Sequence, residues 1–255
     1  MTIKDQSYYV AGGRTGVLLM HGLGATPTEM RFVADRLARA GYTVYCPHLA
    51  GHGGTEADSK ETTWQDWYAS AEEALARLRQ ECDVVIVGGL STGAVLALLL
   101  AARHPEDVQG TALLAPTFWL NGQLIPWYAR LFRIVSSKRI ANLTGFLPST
   151  PGGAVLEYRL LVNTVRAEIG NVRQPALIIH PREDHHANLD NASYLQRNLK
   201  GLVDMVVLDG SCQIGTVDRQ RHLVVERTTA FVADIAKAVT GKTSARVATP
   251  AFKAA

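Results

Sequence analysis

The chain has 255 residues, 47% of them hydrophobic and 19% charged, which is enough to bury one large core and too apolar for a disordered chain. Lysine and arginine number 26 against 23 aspartate and glutamate, a formal charge of +3 with no dense basic run, so a nucleic-acid or anionic-membrane partner is not expected. Cys46, Cys82 and Cys212 are scattered, with neither a CxxC pair nor a disulfide framework, as suits a reducing cytosol.

Met1 to Val10 carries Lys4 and Asp5 where a secretory leader needs a continuous apolar stretch, so no export signal is expected and the protein reads as cytoplasmic. Thr15 to Met20 and Tyr42 to Cys46 read as short buried strands, and Thr28 to Arg39 between them has apolar residues at helical spacing, which makes a βαβ unit. Trp64 to Arg79 repeats the helical pattern, and Val84 to Val87 is a β-branched run typical of a strand buried on both faces. Ala94 to Arg103 is helical and stops before Pro105; its apolar run is about half of what a bilayer span requires. Thr111 to Leu114 is a strand. Ala176 to Ile179 and Met205 to Leu208 are two more, separated by a helix at Ala192 to Leu199. A last helical pattern covers Val217 to Val239, and Gly241 to Ala255 is a small-residue tail without a core-forming pattern, expected to be disordered.

This alternation predicts one α/β domain over residues 1–255, a mostly parallel sheet with helices on both faces and ligands at the carboxyl ends of the strands. Residues 119–171 break the rhythm with Pro126, Pro148 and Pro151 and several apolar patches. They are read as a helical cap inserted over the sheet, against the alternative of two ordinary crossover helices. Trp119, Trp127 and Tyr128 in this segment are the candidate substrate-binding residues; packing of the cap onto the sheet is the competing explanation.

Gly89-Leu90-Ser91-Thr92-Gly93 matches GxSxG and lies between an apolar strand and a helix. That context marks a sharp turn on which Ser91 is the candidate nucleophile, with the helix N-terminus favouring developing negative charge. His21-Gly22-Leu23-Gly24 follows the first strong strand. The backbone N–H groups of Leu23 and Thr92 are the candidate oxyanion hole. His21 and His52 read as braces of their loops rather than as catalytic groups.

HGLG after one strand, PHLAGHGG after the next, GLSTG and a late aspartate together resemble the α/β-hydrolase superfamily, and more narrowly bacterial carboxylesterases and monoacylglycerol lipases, from about Gly16 to Val239. The resemblance implies a Ser, Asp, His triad in that chain order, no cofactor, and hydrolysis of a carboxylic ester or thioester through an acyl-enzyme. It carries the acid over to Asp184 in His180-Pro181-Arg182-Glu183-Asp184, with Glu183 as the competing choice. The histidine of the base loop falls in Ser211-Cys212-Gln213-Ile214-Gly215-Thr216-Val217-Asp218-Arg219, where the flanking residues hold the register and Gln213 fills the position.

A glutamine amide can donate toward Asp184 and accept from Ser91, but it cannot take the proton. Four readings follow: an esterase or thioesterase that recruits another histidine, His185 or His186 before His222; an acyl-transfer or cyclisation enzyme acting on an activated thioester; a silent binding protein that keeps the pocket; or an inactivated variant of an ordinary esterase. No metal is expected, since the strand-end loop accounts for Asp184 beside His180, His185 and His186 without one. The sequence leaves the oligomeric state open.

Overall fold

The computed structural model describes residues 6–53, 62–119, 152–184, 187–209 and 220–247. Seven strands form one sheet: β1 (Tyr8–Val10), β2 (Thr15–Met20), β3 (Thr43–Cys46), β4 (Val84–Leu90), β5 (Gly110–Leu114), β6 (Ala176–Pro181) and β7 (Val203–Leu208). Their order is β1-β3-β2-β4-β5-β6-β7. β1 runs antiparallel to β3 and every other pairing is parallel. Parallel neighbours need crossover connections, and the sequence supplies α1 (Arg31–Arg39), α2 (Trp64–Glu81), α3 (Thr92–Arg103), α4 (Gly152–Glu168), α5 (Asp190–Asn198) and α6 (Arg221–Val247). This is an α/β-hydrolase fold with a mostly parallel sheet.

Side-chain alternation along the strands splits the core in two. Leu18, Met20, Val85, Val87, Leu113 and Ile178 face α2, α3, α4 and α5. Val17, Leu19, Val84, Ile86, Leu177 and Ile179 face α1 and α6. The central strand β4 is buried along its whole length, which is why Val84 to Val87 reads as a continuous apolar run rather than an alternating one. α2 starts sharply because Thr63 and Asp66 form a reciprocal capping box, the Asp66 carboxylate accepting the Thr63 N–H at 2.8 Å.

Several elements differ from the sequence reading. β1 was not foreseen, since three residues are too few to show a period. α6 continues to Val247, into the stretch expected as a tail, because no proline interrupts it before Pro250. Within the segment read as a cap, α4 is a crossover helix: Ala154, Tyr158, Leu161, Val162 and Val165 join the core beside α3. Residues 120–151, with Trp127 and Tyr128, lie outside the described residues. Among the described residues, no helix is long and apolar enough to cross a membrane.

Candidate active site

Strand β4 meets α3 at Ser91, whose backbone sits at φ 52, ψ −107. A non-glycine residue at positive φ is strained, and such strain persists only where the surroundings over-determine it. Here the Ser91 N–H donates to the Leu114 carbonyl at 2.9 Å and the Ser91 carbonyl accepts from Ala94 at 3.1 Å. The flanking glycines are required by contact: a Cβ on Gly89 would stand 2.3 Å from the Met20 oxygen, and one on Gly93 2.1 Å from the same atom. The elbow is thus wedged against the end of β2, the strand that carries the next loop.

That loop, His21 to Gly24, is pinned from two sides. The Gly22 N–H donates to Oε2 of Glu29 at 2.7 Å. Burial holds the Glu29 carboxyl above its usual range. His21 bonds through Nδ1 to the Gly22 carbonyl at 3.0 Å and accepts the Leu49 N–H on Nε2 at 3.3 Å. Burial, together with the neighbouring His52, lowers its pKa to about 3, so it is neutral at pH 7. His52 stacks edge-on against His21 and Trp67 at 5.1 and 5.2 Å between ring centroids. Burial lowers its pKa to about 4. Both histidines act as neutral braces. Thr92 opens α3, where the first N–H groups of a helix lack intrahelical acceptors, and Leu23 is buried at the middle of the pinned loop.

Asp184 follows β6 and is buried, with Oδ1 accepting the Ala187 N–H at 3.0 Å. His180, also buried, donates from Nδ1 to the Pro181 carbonyl at 2.8 Å, while its Nε2 has no hydrogen-bond partner among the described residues. His222 is exposed on α6, as a surface histidine would be. Gln213, His185 and His186 lie outside the described residues. Among the described residues no group of three or more histidine, cysteine, aspartate or glutamate side chains could hold a metal ion.

Trp119 is packed against residues of α4 and α5. Its ring packs edge-on against Tyr194 at 4.8 Å, with the Arg166 guanidinium 5.1 Å from its centroid. Asn191 anchors this turn: Oδ1 accepts the Phe118 and Trp119 N–H groups at 2.6 and 2.8 Å, and Nδ2 donates to the Trp119 carbonyl at 3.1 Å.

Thr117, which the sequence reading did not single out, lies beside Ser91, and Tyr158, also not singled out, bonds to Thr117. Thr117 Oγ1 lies 3.5 Å from Ser91 Oγ and itself donates to the Ala115 carbonyl at 3.0 Å. The Tyr158 hydroxyl, buried on α4, donates to the Thr117 carbonyl. Burial pushes this phenol well above its usual pKa. No motif carries either residue; the only hint was that Thr117 falls just beyond a strand end.

The strained turn at Ser91 between β4 and α3 and the sheet order define the α/β-hydrolase class. The chain belongs to the serine aminopeptidase S33 family, whose model matches residues 13–151. It is 32% identical over 238 residues to a thermostable monoacylglycerol lipase of Bacillus sp. (strain H-257), covering 89% of this chain and 94% of that one. It is 23% identical to a carboxylesterase of Bacillus subtilis (strain 168), covering 87% and 94%. A solved structure from work on LipS and LipT, two metagenome-derived lipolytic enzymes, superposes with a TM-score of 0.81 at 30% identity, covering 89% of this chain and 97% of that one. These likenesses make the chain a serine hydrolase of the lipase and carboxylesterase type.

Proposed function

We propose that the chain acts on a carboxylic ester or thioester through a Ser91 acyl-enzyme, with Leu23 and Thr92 as oxyanion donors, Asp184 as the orienting acid and Gln213 at the position of the base. The observation that carries this reading is Ser91 at φ 52 on the strand-to-helix turn, wedged by Gly89 and Gly93 against the loop that holds Leu23. A hydroxyl held there, at a helix N-terminus, faces the place where acyl transfer develops its negative charge. The similarity to a monoacylglycerol lipase and a carboxylesterase supports an ester with an apolar acyl group as substrate.

Attack by Ser91 Oγ on the carbonyl carbon requires the serine proton to leave, and a glutamine amide has no basic lone pair to receive it. Gln213 then orients without activating. What remains is catalysis by binding and by the oxyanion hole, on the order of 10³–10⁴ over water. Such a site favours substrates whose carbonyl is already activated, thioesters above simple alkyl esters.

The test pairs the protein with its Gln213→His variant, using Ser91→Ala as the blank. Labelling by a fluorophosphonate and turnover of a short activated ester are followed together. We expect Ser91 to be labelled slowly in the protein and faster, by two orders of magnitude or more, in Gln213→His. Failure of both chains to label would sink the nucleophile assignment. Equal, fast turnover by both would show that another group takes the proton.

A further inference from the structure

Thr117 is anchored against the elbow from three directions. Two residues before it, Ala115 stands at φ 40, one of two non-glycine residues at positive φ among those described, the other being Ser91 itself. The Ala115 N–H donates to the Ile179 carbonyl at 2.8 Å, which helps to hold that strained conformation. The Thr117 carbonyl accepts the Tyr158 hydroxyl from α4, and the next two N–H groups donate to Asn191 Oδ1 on α5. The side chain so fixed is buried, with Oγ1 3.5 Å from Ser91 Oγ.

A hydroxyl has one proton to give and lone pairs to receive others. Thr117 gives its proton to the Ala115 carbonyl at 3.0 Å, so toward Ser91 it offers a lone pair, and in their contact the serine donates. Among the described residues Ser91 is the single donor to Thr117 Oγ1. Acylation removes that donor: Ser91 Oγ becomes an ester oxygen without a proton, while the Ala115 carbonyl keeps the proton of the threonine. The acyl-enzyme thus leaves a buried oxygen without a donor, beside the acyl carbon that must be attacked next. An unmet buried acceptor is costly, so this one favours the arrival of an O–H group that can reach it.

We propose that Thr117 is the positioning residue of the second half-reaction, holding the water that attacks the acyl-enzyme. This rests on Ser91 being the nucleophile. One O–H of the water donates to Thr117 Oγ1. The water oxygen forms a bond to the acyl carbon as the bond from that carbon to Ser91 Oγ breaks. The proton directed at Thr117 leaves with the carboxylic acid, and the other ends on Ser91 Oγ, whose restored hydroxyl donates to Thr117 again. Thr117 takes no proton at any stage; it fixes where the attacking oxygen stands. Acylation uses no water, so the threonine oxygen separates the two half-reactions.

Thr117→Val keeps the shape of the side chain and removes its oxygen. In both the native and Gln213→His backgrounds, release of p-nitrophenolate from a p-nitrophenyl ester reports acylation. Decay of the acyl adduct by intact-mass spectrometry, once excess ester is removed, reports deacylation. We expect Thr117→Val to slow deacylation about tenfold and acylation by less than about threefold, so that kcat and KM fall together and kcat/KM is nearly kept. Thr117→Ala also lacks the oxygen and should show the same split. Thr117→Ser restores the oxygen and should recover most of the lost rate, whereas a threonine that only packs the turn would tolerate valine better than serine. Unchanged deacylation in Thr117→Val and Thr117→Ala, equal slowing of both steps, or no recovery in Thr117→Ser overturns the proposal and leaves Ser91 as the nucleophile. Absence of an adduct on the peptide carrying Ser91, in every background, overturns both.

Discussion

Replacing Gly93 by alanine adds one methyl group at the most crowded point of the elbow. The new Cβ would lie 2.1 Å from the Met20 oxygen, 2.5 Å from the Met20 carbonyl carbon and 2.9 Å from the His21 oxygen. All three are backbone atoms, so no side chain can rotate away, and relief requires β2 and α3 to part by about 1 Å. Overpacking of this kind costs roughly 1–3 kcal/mol, while alanine recovers about 1 kcal/mol of helix propensity. We expect a net loss of up to about 2 kcal/mol, or a melting temperature lower by up to roughly 8 °C. The larger effect falls on reactivity, because the atoms pushed aside carry the loop with Leu23 and the turn with Thr92. Displacing one oxyanion donor slows acyl transfer by about 10²–10³, and labelling of Ser91 should slow to match. Gly153→Ala is the control: nothing lies within 4 Å of its Cβ position near the start of α4, so it should be neutral or slightly stabilising. Melting by circular dichroism and fluorophosphonate labelling would be measured side by side. If Gly93→Ala matches Gly153→Ala in both, the elbow is not wedged as described and the argument fails.

Glu29→Gln keeps an acceptor for the Gly22 N–H, whereas Glu29→Ala removes it, so only the alanine should lose about 1–3 kcal/mol in urea unfolding and slow Ser91 labelling. The sign with pH also follows. The carboxyl titrates higher in the folded protein than in the unfolded chain, so ionisation costs stability as pH rises through the folded value, and Glu29→Gln should gain on the parent protein as pH rises above the ordinary carboxylate range. His21 and His52 behave oppositely: with folded values of about 3 and about 4, their neutral forms stabilise fully above pH ~6.5. Each should cost up to about 1.4 kcal/mol per pH unit as pH falls below that value. Flat urea midpoints between pH 7 and pH 4.5 would contradict this. Asn191→Ala strands the buried N–H of Phe118 and the part-buried N–H of Trp119, and should lower the melting temperature by several degrees.

The elements that carried a strong period were legible in the sequence. Thr15 to Met20 and the helix from Trp64 were read where they stand, because burial on one or both faces writes itself into the order of apolar residues. β4 runs three residues further than its valines, through Gly88, Gly89 and Leu90. The sheet uses glycine there for close approach, which propensity alone reads as an end. α3 likewise starts at Thr92 rather than Ala94. The places of Ser91 at the turn from β4 to α3, of Leu23 after β2 and of Asp184 after β6 follow from motif and strand position. Thr117, Tyr158, Glu29 and Asn191 were invisible for one shared reason. Each acts through a contact spanning from 7 to 73 residues, and neither period nor motif records contacts of that kind.

The burial of α3 ties reactivity to cooperativity. Every residue from Thr92 to Ala101 is buried, and the helix is clasped by the sheet on one side and by α2 and α4 on the other. A segment so enclosed has no local route of opening; it exchanges its amide protons only when the domain comes apart as a whole. Ser91 stands at its first turn, and the strained conformation of that residue is maintained by the same enclosure. A covalent probe of Ser91 therefore doubles as a gauge of global unfolding, and along a denaturant series its labelling should fall in step with the loss of secondary structure.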